Sequence, residues 1–183
     1  MRPAFRIQRP LLVGILLLAL ACDAKKKPRG KVKAPCEDAT TVQLLIKRAR
    51  KLTTGGEQGA ALRCLEVGSR RFEASGDVWE DYGALSEDMG MRHEALEMLE
   101  RAITLKPSLG LAALRLGNIY AALNDDDRAI RFFKKASKSR PDSPVPYNNI
   151  GLAHMRNGRT QEAMDIFKRG MGVYTKEGGV LEV

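Results

Sequence analysis

Five side chains in this sequence are suited to chemistry of their own: Cys22, Cys36, Cys64, His93 and His154. A thiol can be acylated, joined in a disulfide or bound to a metal, and its compartment and neighbours decide which. No second His, Cys or acidic cluster stands at metal-ligand spacing from His154. That residue falls on an apolar helical stripe and reads as a satisfied core histidine. His93 lies in a polar helix start and reads as exposed. The chain has no phosphate-binding glycine loop, no nucleophile elbow and no HExxH helix. Acids are plentiful, but none is singled out by its setting. These absences point away from an enzyme and from a bound cofactor.

The setting of Cys22 is a leader. Residues 1–10 carry three Arg and no acid, and Leu11 to Ala21 is an unbroken apolar run of eleven residues. That run is short of the roughly 20 residues a spanning helix needs. It fits the apolar core of a secretory signal over residues 1–21, with Ala19-Leu20-Ala21 as a small-x-small cleavage site. Leu18-Ala19-Leu20-Ala21-Cys22 resembles a bacterial lipobox, with Ala19 where Leu is usual. The resemblance implies that Cys22 becomes a lipidated N-terminus. Ordinary cleavage after Ala21, leaving a free exported protein, is the alternative. Asp23 resembles the inner-membrane retention signal of some enteric bacteria, and which membrane it favours stays open.

The formal net charge of +9 sits mostly outside the candidate folded region. Besides the leader arginines, residues 23–34 hold six bases against Asp23, which leaves residues 35–183 at +1. A near-neutral folded part gives no reason to invoke nucleic acid. Residues 22–37 read as a basic, flexible tether, either attracted to anionic lipid or simply solvated.

The elements that position the remaining side chains follow from a period. Trp79, Gly83, Gly90, Ala95, Ala102 and Pro107 are followed, at one constant step, by Ala113, Gly117, Asn124, Ala129, Ala136 and Pro141. The same step taken again reaches Tyr147, Gly151, Gly158, Ala163, Gly170 and Thr175. Each period holds two amphipathic helical patterns and a short turn. The spacing predicts helices over 111–123, 127–139, 144–157 and 160–172, with Asn124-Asp125-Asp126 as turn and N-cap and Thr160 as a further N-cap. Gly83, Gly117 and Gly151 should let paired helices approach, while Leu99, Phe133 and Phe167 fill the space between adjacent pairs. Aromatics make up only 5% of the chain, which suits helix packing through small residues better than a β-sandwich.

These units resemble tetratricopeptide repeats, whose period is about 34 residues. Trp79-Tyr82-Gly83, Leu116-Gly117-Tyr120 and Tyr147-Ile150-Gly151 carry the first half of the pattern. Ala95-Leu99-Ala102-Pro107 and Ala129-Phe133-Ala136-Pro141 carry the second. Ser86 and His154 stand where the family usually has Tyr. One step back from Gly83, Ala95, Leu99 and Ala102 lies a degenerate copy at Ala49, Ala61, Leu65 and Gly68, with helices expected over 38–54 and 57–73. The resemblance implies an all-α, right-handed superhelical α-solenoid of helix-turn-helix units. Its expected order is a capping repeat at 38–75, repeats at 76–109, 110–143 and 144–175, and a short tail at 176–183. That tail either folds back over Ile166, Phe167 and Met171 or leaves an edge for a partner.

In an exported chain Cys36 and Cys64 are free to pair, which would staple the cap repeat; two unpaired thiols are the alternative. Residues 76–109 hold eight acids against three bases, and residues 110–143 four against seven. First helices line the concave face in this family. The resemblance therefore implies a groove with Asp77, Glu80, Asp81, Glu87 and Asp88 at one end, and Arg115, Asn118, Asn148, Asn149, Met155 and Arg156 at the other. Such a groove suits an extended peptide or helix; the same residues also suit a solvated, self-stabilising face.

The expected function is a membrane-tethered scaffold or adaptor facing the periplasm of a Gram-negative-type envelope. It would bind another envelope protein, as pilotins of secretin assembly and adaptors of outer-membrane machinery do. The alternatives are a soluble exported module for peptidoglycan or an enzyme partner, and a structural homo-oligomer.

Overall fold

The computed structural model describes residues 36–176. The leader, Cys22, most of the tether and residues 177–183 lie outside the described residues. Eight helices follow one another: α1 (Val42–Thr54), α2 (Gln58–Arg71), α3 (Gly76–Asp88), α4 (Arg92–Leu105), α5 (Gly110–Ala122), α6 (Asp126–Ser139), α7 (Val145–Arg156) and α8 (Thr160–Lys176). There is no strand among the described residues. The fold is an all-α solenoid of four helix pairs.

One backbone device repeats through all four pairs. Gly56, Gly90, Asn124 and Gly158 have φ of 81°, 80°, 60° and 69°, and each stands one period after the last. Left-handed φ is cheap only for Gly and, next best, Asn, so these residue types fall at this position. The residue after each one closes the first helix by donating back to a carbonyl of its last turns. The four bonds are Glu57 to Leu52, Met91 to Ser86, Asp125 to Tyr120 and Arg159 to His154, each 2.9 Å. This is the Schellman arrangement, and it turns the chain straight into the second helix.

The second helices end in two ways. Lys106 and Arg140 precede prolines and adopt extended φ of −141° and −135°. Phe72 ends α2 in the same register, at φ −119°, with no proline after it. Helix α8 does not stop at 172 as the pattern suggested. Thr175 stands where Pro107 and Pro141 stand, keeps its backbone N–H, and the helix continues to Lys176. At the other end, α1 starts at Val42 rather than 38, because Cys36–Asp38 form a turn and the Thr41 side chain accepts from the Leu44 N–H at 3.2 Å. Thr160 is the first helical residue rather than a cap; the Arg159 carbonyl accepts from Ala163.

Within each pair, a small residue faces a large one. A Cβ placed on Gly83, Gly117 or Gly151 would overlap Leu99, Phe133 or Phe167 of the same repeat. Those three large side chains thus fill the space within their own pairs, over the glycine, rather than lying only between pairs. Two apolar clusters result. One contains Cys36, Ala39, Leu45, Cys64, Leu65, Val78 and Leu85; the other runs from Ala95 through Leu116 and Phe133 to Ala153. Cys36 and Cys64 form a disulfide inside the first cluster, with Cα atoms 5.2 Å apart. The lead-in segment is held further by Arg48, 2.5 Å from Asp38, and by Arg71, which donates to the Glu37 carbonyl at 3.0 Å.

First helices of neighbouring repeats pack side by side, α1 on α3 and α3 on α5. Second helices pack chiefly against the first helices before and after them. The first helices therefore form the inner face and the second helices the outer one.

Candidate functional site

On the inner face, nearly every charge on α3 is engaged with a neighbour. Asp81 takes two bonds from Arg50 on α1, at 2.9 and 2.8 Å. Glu80 accepts from the Ala112 N–H at the start of α5, at 2.9 Å. Arg115 on α5 reaches back to Glu87 at 2.6 Å and Asp88 at 3.2 Å. Asp77 is held by Lys106 of its own repeat at 2.8 Å. Further along, Asn149 donates to Asn118 at 3.0 Å, and Arg156 makes a forked contact with Asp126 at the start of α6.

These bonds span 27 to 32 residues, so they fasten one repeat to the next or a helix to its pair. The charges expected to receive a partner also hold the array in register. Burial raises the Glu80 pKa, the Ala112 N–H opposes that shift, and Asp81 and Asp77 add to it. The bond to Asp81 raises Arg50. Burial lowers Arg115, but Glu87 and Asp88 outweigh it and the net shift is upward.

What the inner face leaves open differs from the charge pattern. Asn148 and Met155 are exposed. Also exposed are the aliphatics Leu111 on α5 and Val145 and Leu152 on α7. Charge reading missed these three. Their signal is register: Leu111 and Val145 occupy the position of Asp77 one and two periods on. Between α1 and α3 lies a groove of about 250 Å³. Its floor is Ala49, Leu65, Ala84 and Leu85, and Arg50, Asp81 and Asp88 form its rim. The inner face thus presents apolar surface at both ends, bordered by fixed charges and amides.

The Tyr position of the repeat is instructive. Tyr120 donates to Glu100 at 2.6 Å and stacks on Phe132 with ring centroids 5.5 Å apart. Ser86 and His154 occupy the same register, and both are buried. The Ser86 hydroxyl and His154 Nδ1 have no hydrogen-bond partner among the described residues. His154 is therefore a core residue, but not the satisfied one its sequence position suggested. His93 is exposed, 3.8 Å from Glu97. Among the described residues, no three His, Cys, Asp or Glu gather to hold a metal ion. No described helix is long and apolar enough to cross a membrane.

The helix pairs, their left-handed turns and the Gly–large contacts can now be set beside known proteins. Patterns described as tetratricopeptide repeat match residues 76–109 and 147–177, and one described as TPR repeat matches 117–158; together they cover more than half of the chain. The chain belongs to the tetratricopeptide repeat family. Its fold is similar to that of MamA, whose crystal structure superposes with a TM-score of 0.71 at 24% identity, over 78% of this chain and 84% of that one. The sequence is 30% identical over 112 residues to Protein FlbA of Caulobacter vibrioides, covering 61% of this chain but only 18% of FlbA. It is 29% identical over 137 residues to the Photosystem I assembly protein Ycf3 of Prochlorococcus marinus (strain NATL2A), covering 67% of this chain and 78% of Ycf3.

Proposed function

We propose that this tetratricopeptide repeat protein is an adaptor that holds a protein partner on its inner face. The exposed aliphatic strip of Leu111, Val145, Leu152 and Met155 beside Asn148 carries this reading. Monomers rarely leave several large apolar side chains together on a concave surface without a ligand to cover them. Ionic ties fix the helices beneath, so the strip is preorganised and a partner loses little by ordering it. The similarity to an assembly protein, Ycf3, supports a role in building complexes.

The finer reading joins the leader to this face. Export, acylation of Cys22 and a basic tether would hold the adaptor at the periplasmic side of a bacterial membrane, where it would serve an envelope assembly such as a secretin or outer-membrane machine. Proximity crosslinking in intact envelopes, read by mass spectrometry, tests it. One envelope protein should be enriched over both a Cys22→Ala control and a Leu152→Asp/Met155→Asp control. Enrichment lost only with Leu152→Asp/Met155→Asp would keep the adaptor and reject the anchor. No enrichment over either control would reject both. Intact mass of the mature N-terminus checks acylation directly.

A further inference from the structure

The outer face carries a second feature that the inner-face reading does not use. Helix α6 presents Arg128, Arg131, Lys134, Lys135 and Lys138 to solvent on one side, all exposed. At the matching positions of the neighbouring outer helix, α4 presents Glu94, Glu97 and Glu100, also exposed. On α8, the same positions mix acids and bases. Glu94, Arg131 and Lys134 enter no ion pair among the described residues, and Glu97 meets only His93 at 3.8 Å. Arg128 is engaged by Asp125 at 2.5 Å, and Glu100 by the Tyr120 hydroxyl at 2.6 Å. An acidic strip and a basic strip therefore lie one repeat apart, and the middle of each holds no strong internal partner.

We infer that this face joins a second copy of the chain. Glu94 and Arg128, Glu97 and Arg131, and Glu100 and Lys134 are equivalent positions of successive repeats, so each acid stands at the height of a base. A two-fold axis running between α4 and α6, along their direction, sets α4 of one copy against α6 of the other, twice. Each acid then faces a base at its own height, which is the self-complementarity a two-fold contact requires. The next position would bring Arg101 against Lys135. Both are turned aside over rings of their own chain, Arg101 over Trp79 at 5.3 Å and Lys135 over Phe132 at 5.2 Å. An anionic lipid surface fits less well, because it would meet the α4 carboxylates alongside the α6 cations. Exposed ion pairs are individually weak and screened by salt, so the dimer is concentration-dependent and salt-sensitive. This inference is independent of the inner-face adaptor.

Sedimentation equilibrium of the full chain tests it. Wild type should move toward the dimer mass with concentration at low ionic strength, with association at least about tenfold weaker at high salt. Glu97→Lys sets a base against Arg131 at both contacts of the dimer, and Arg131→Glu sets an acid against Glu97 at both. Each variant alone should be monomeric with an unchanged circular dichroism melt, because the substituted side chains are exposed. An equimolar mixture of the two should regain the dimer mass. A monomeric wild type at high concentration and low salt overturns the inference, as does a mixture that stays monomeric. A monomer that instead pellets with phosphatidylglycerol vesicles, and loses this in Arg131→Glu, assigns the strip to lipid and also overturns it.

Discussion

The first and last repeats have the same plan and finish it differently. In the first, a lead-in segment packs under the helices and a disulfide fixes it there. In the last, Met164 is 44% exposed, while Ile130, at the same position one repeat earlier, is 6% exposed beneath α7. Phe133 is fully buried, and its counterpart Phe167 only partly. The comparison separates two contributions that are fused in an interior repeat. The contact within a pair is present everywhere, and the cover from the next repeat is missing after α8 among the described residues. In such arrays stability is close to a sum of repeat and interface contributions, so the two can be measured apart.

The largest effect should come from the same truncation made inside and at the end. Phe133→Ala should cost about 3–5 kcal/mol in urea unfolding, and Phe167→Ala about half as much, since less surface is buried there. Equal costs would mean that the last repeat is covered after all. Next, removing the staple with Cys36→Ser/Cys64→Ser should cost on the order of 3 kcal/mol for this loop length. Hydrogen exchange should then rise in α1 and α2 and stay unchanged in α7 and α8; a uniform rise would erase the contrast between the ends.

A smaller effect should be alike at both ends. Gly56→Ala and Gly158→Ala each force a side chain into left-handed backbone, costing about 1–2 kcal/mol by thermal or urea unfolding. Unequal costs would show that the turns, and not only the cover, differ. The smallest effect concerns Glu80 in the interior. Its folded pKa is raised, chiefly by burial, so the folded state holds that proton more tightly than the unfolded chain does. Wild type should therefore gain stability over Glu80→Gln as pH falls through the folded pKa, levelling off below the unfolded one. A difference that is flat with pH would remove Glu80 from the interface energetics.

Much of the fold is legible because the period is carried by residues whose backbone or size is irreplaceable. Gly90 marks a left-handed turn wherever it stands, and Gly83 marks a close approach, so both can be read without knowing their neighbours. The candidate face is less legible. Asp81 reads as a free acid until Arg50 is placed beside it, 31 residues away. Leu111 and Val145 look like ordinary apolar helix residues until the fold turns them outward. His154 fails for a related reason: burial follows from its stripe, but a partner for Nδ1 depends on what the fold brings beside it, and no described residue supplies one.

The disulfide also sets how tension would travel. Cys36 lies ahead of α1, and Cys64 lies midway along α2, 28 residues further on. A pull arriving through the segment ahead of Cys36 crosses the sulfur bridge and enters the body at α2. Helix α1 lies inside the closed loop and carries none of it. The terminal helix of a repeat array would otherwise be peeled away turn by turn. Here the force would instead shear α2 against its neighbours, so the bridge guards the first repeat against being unzipped from that side.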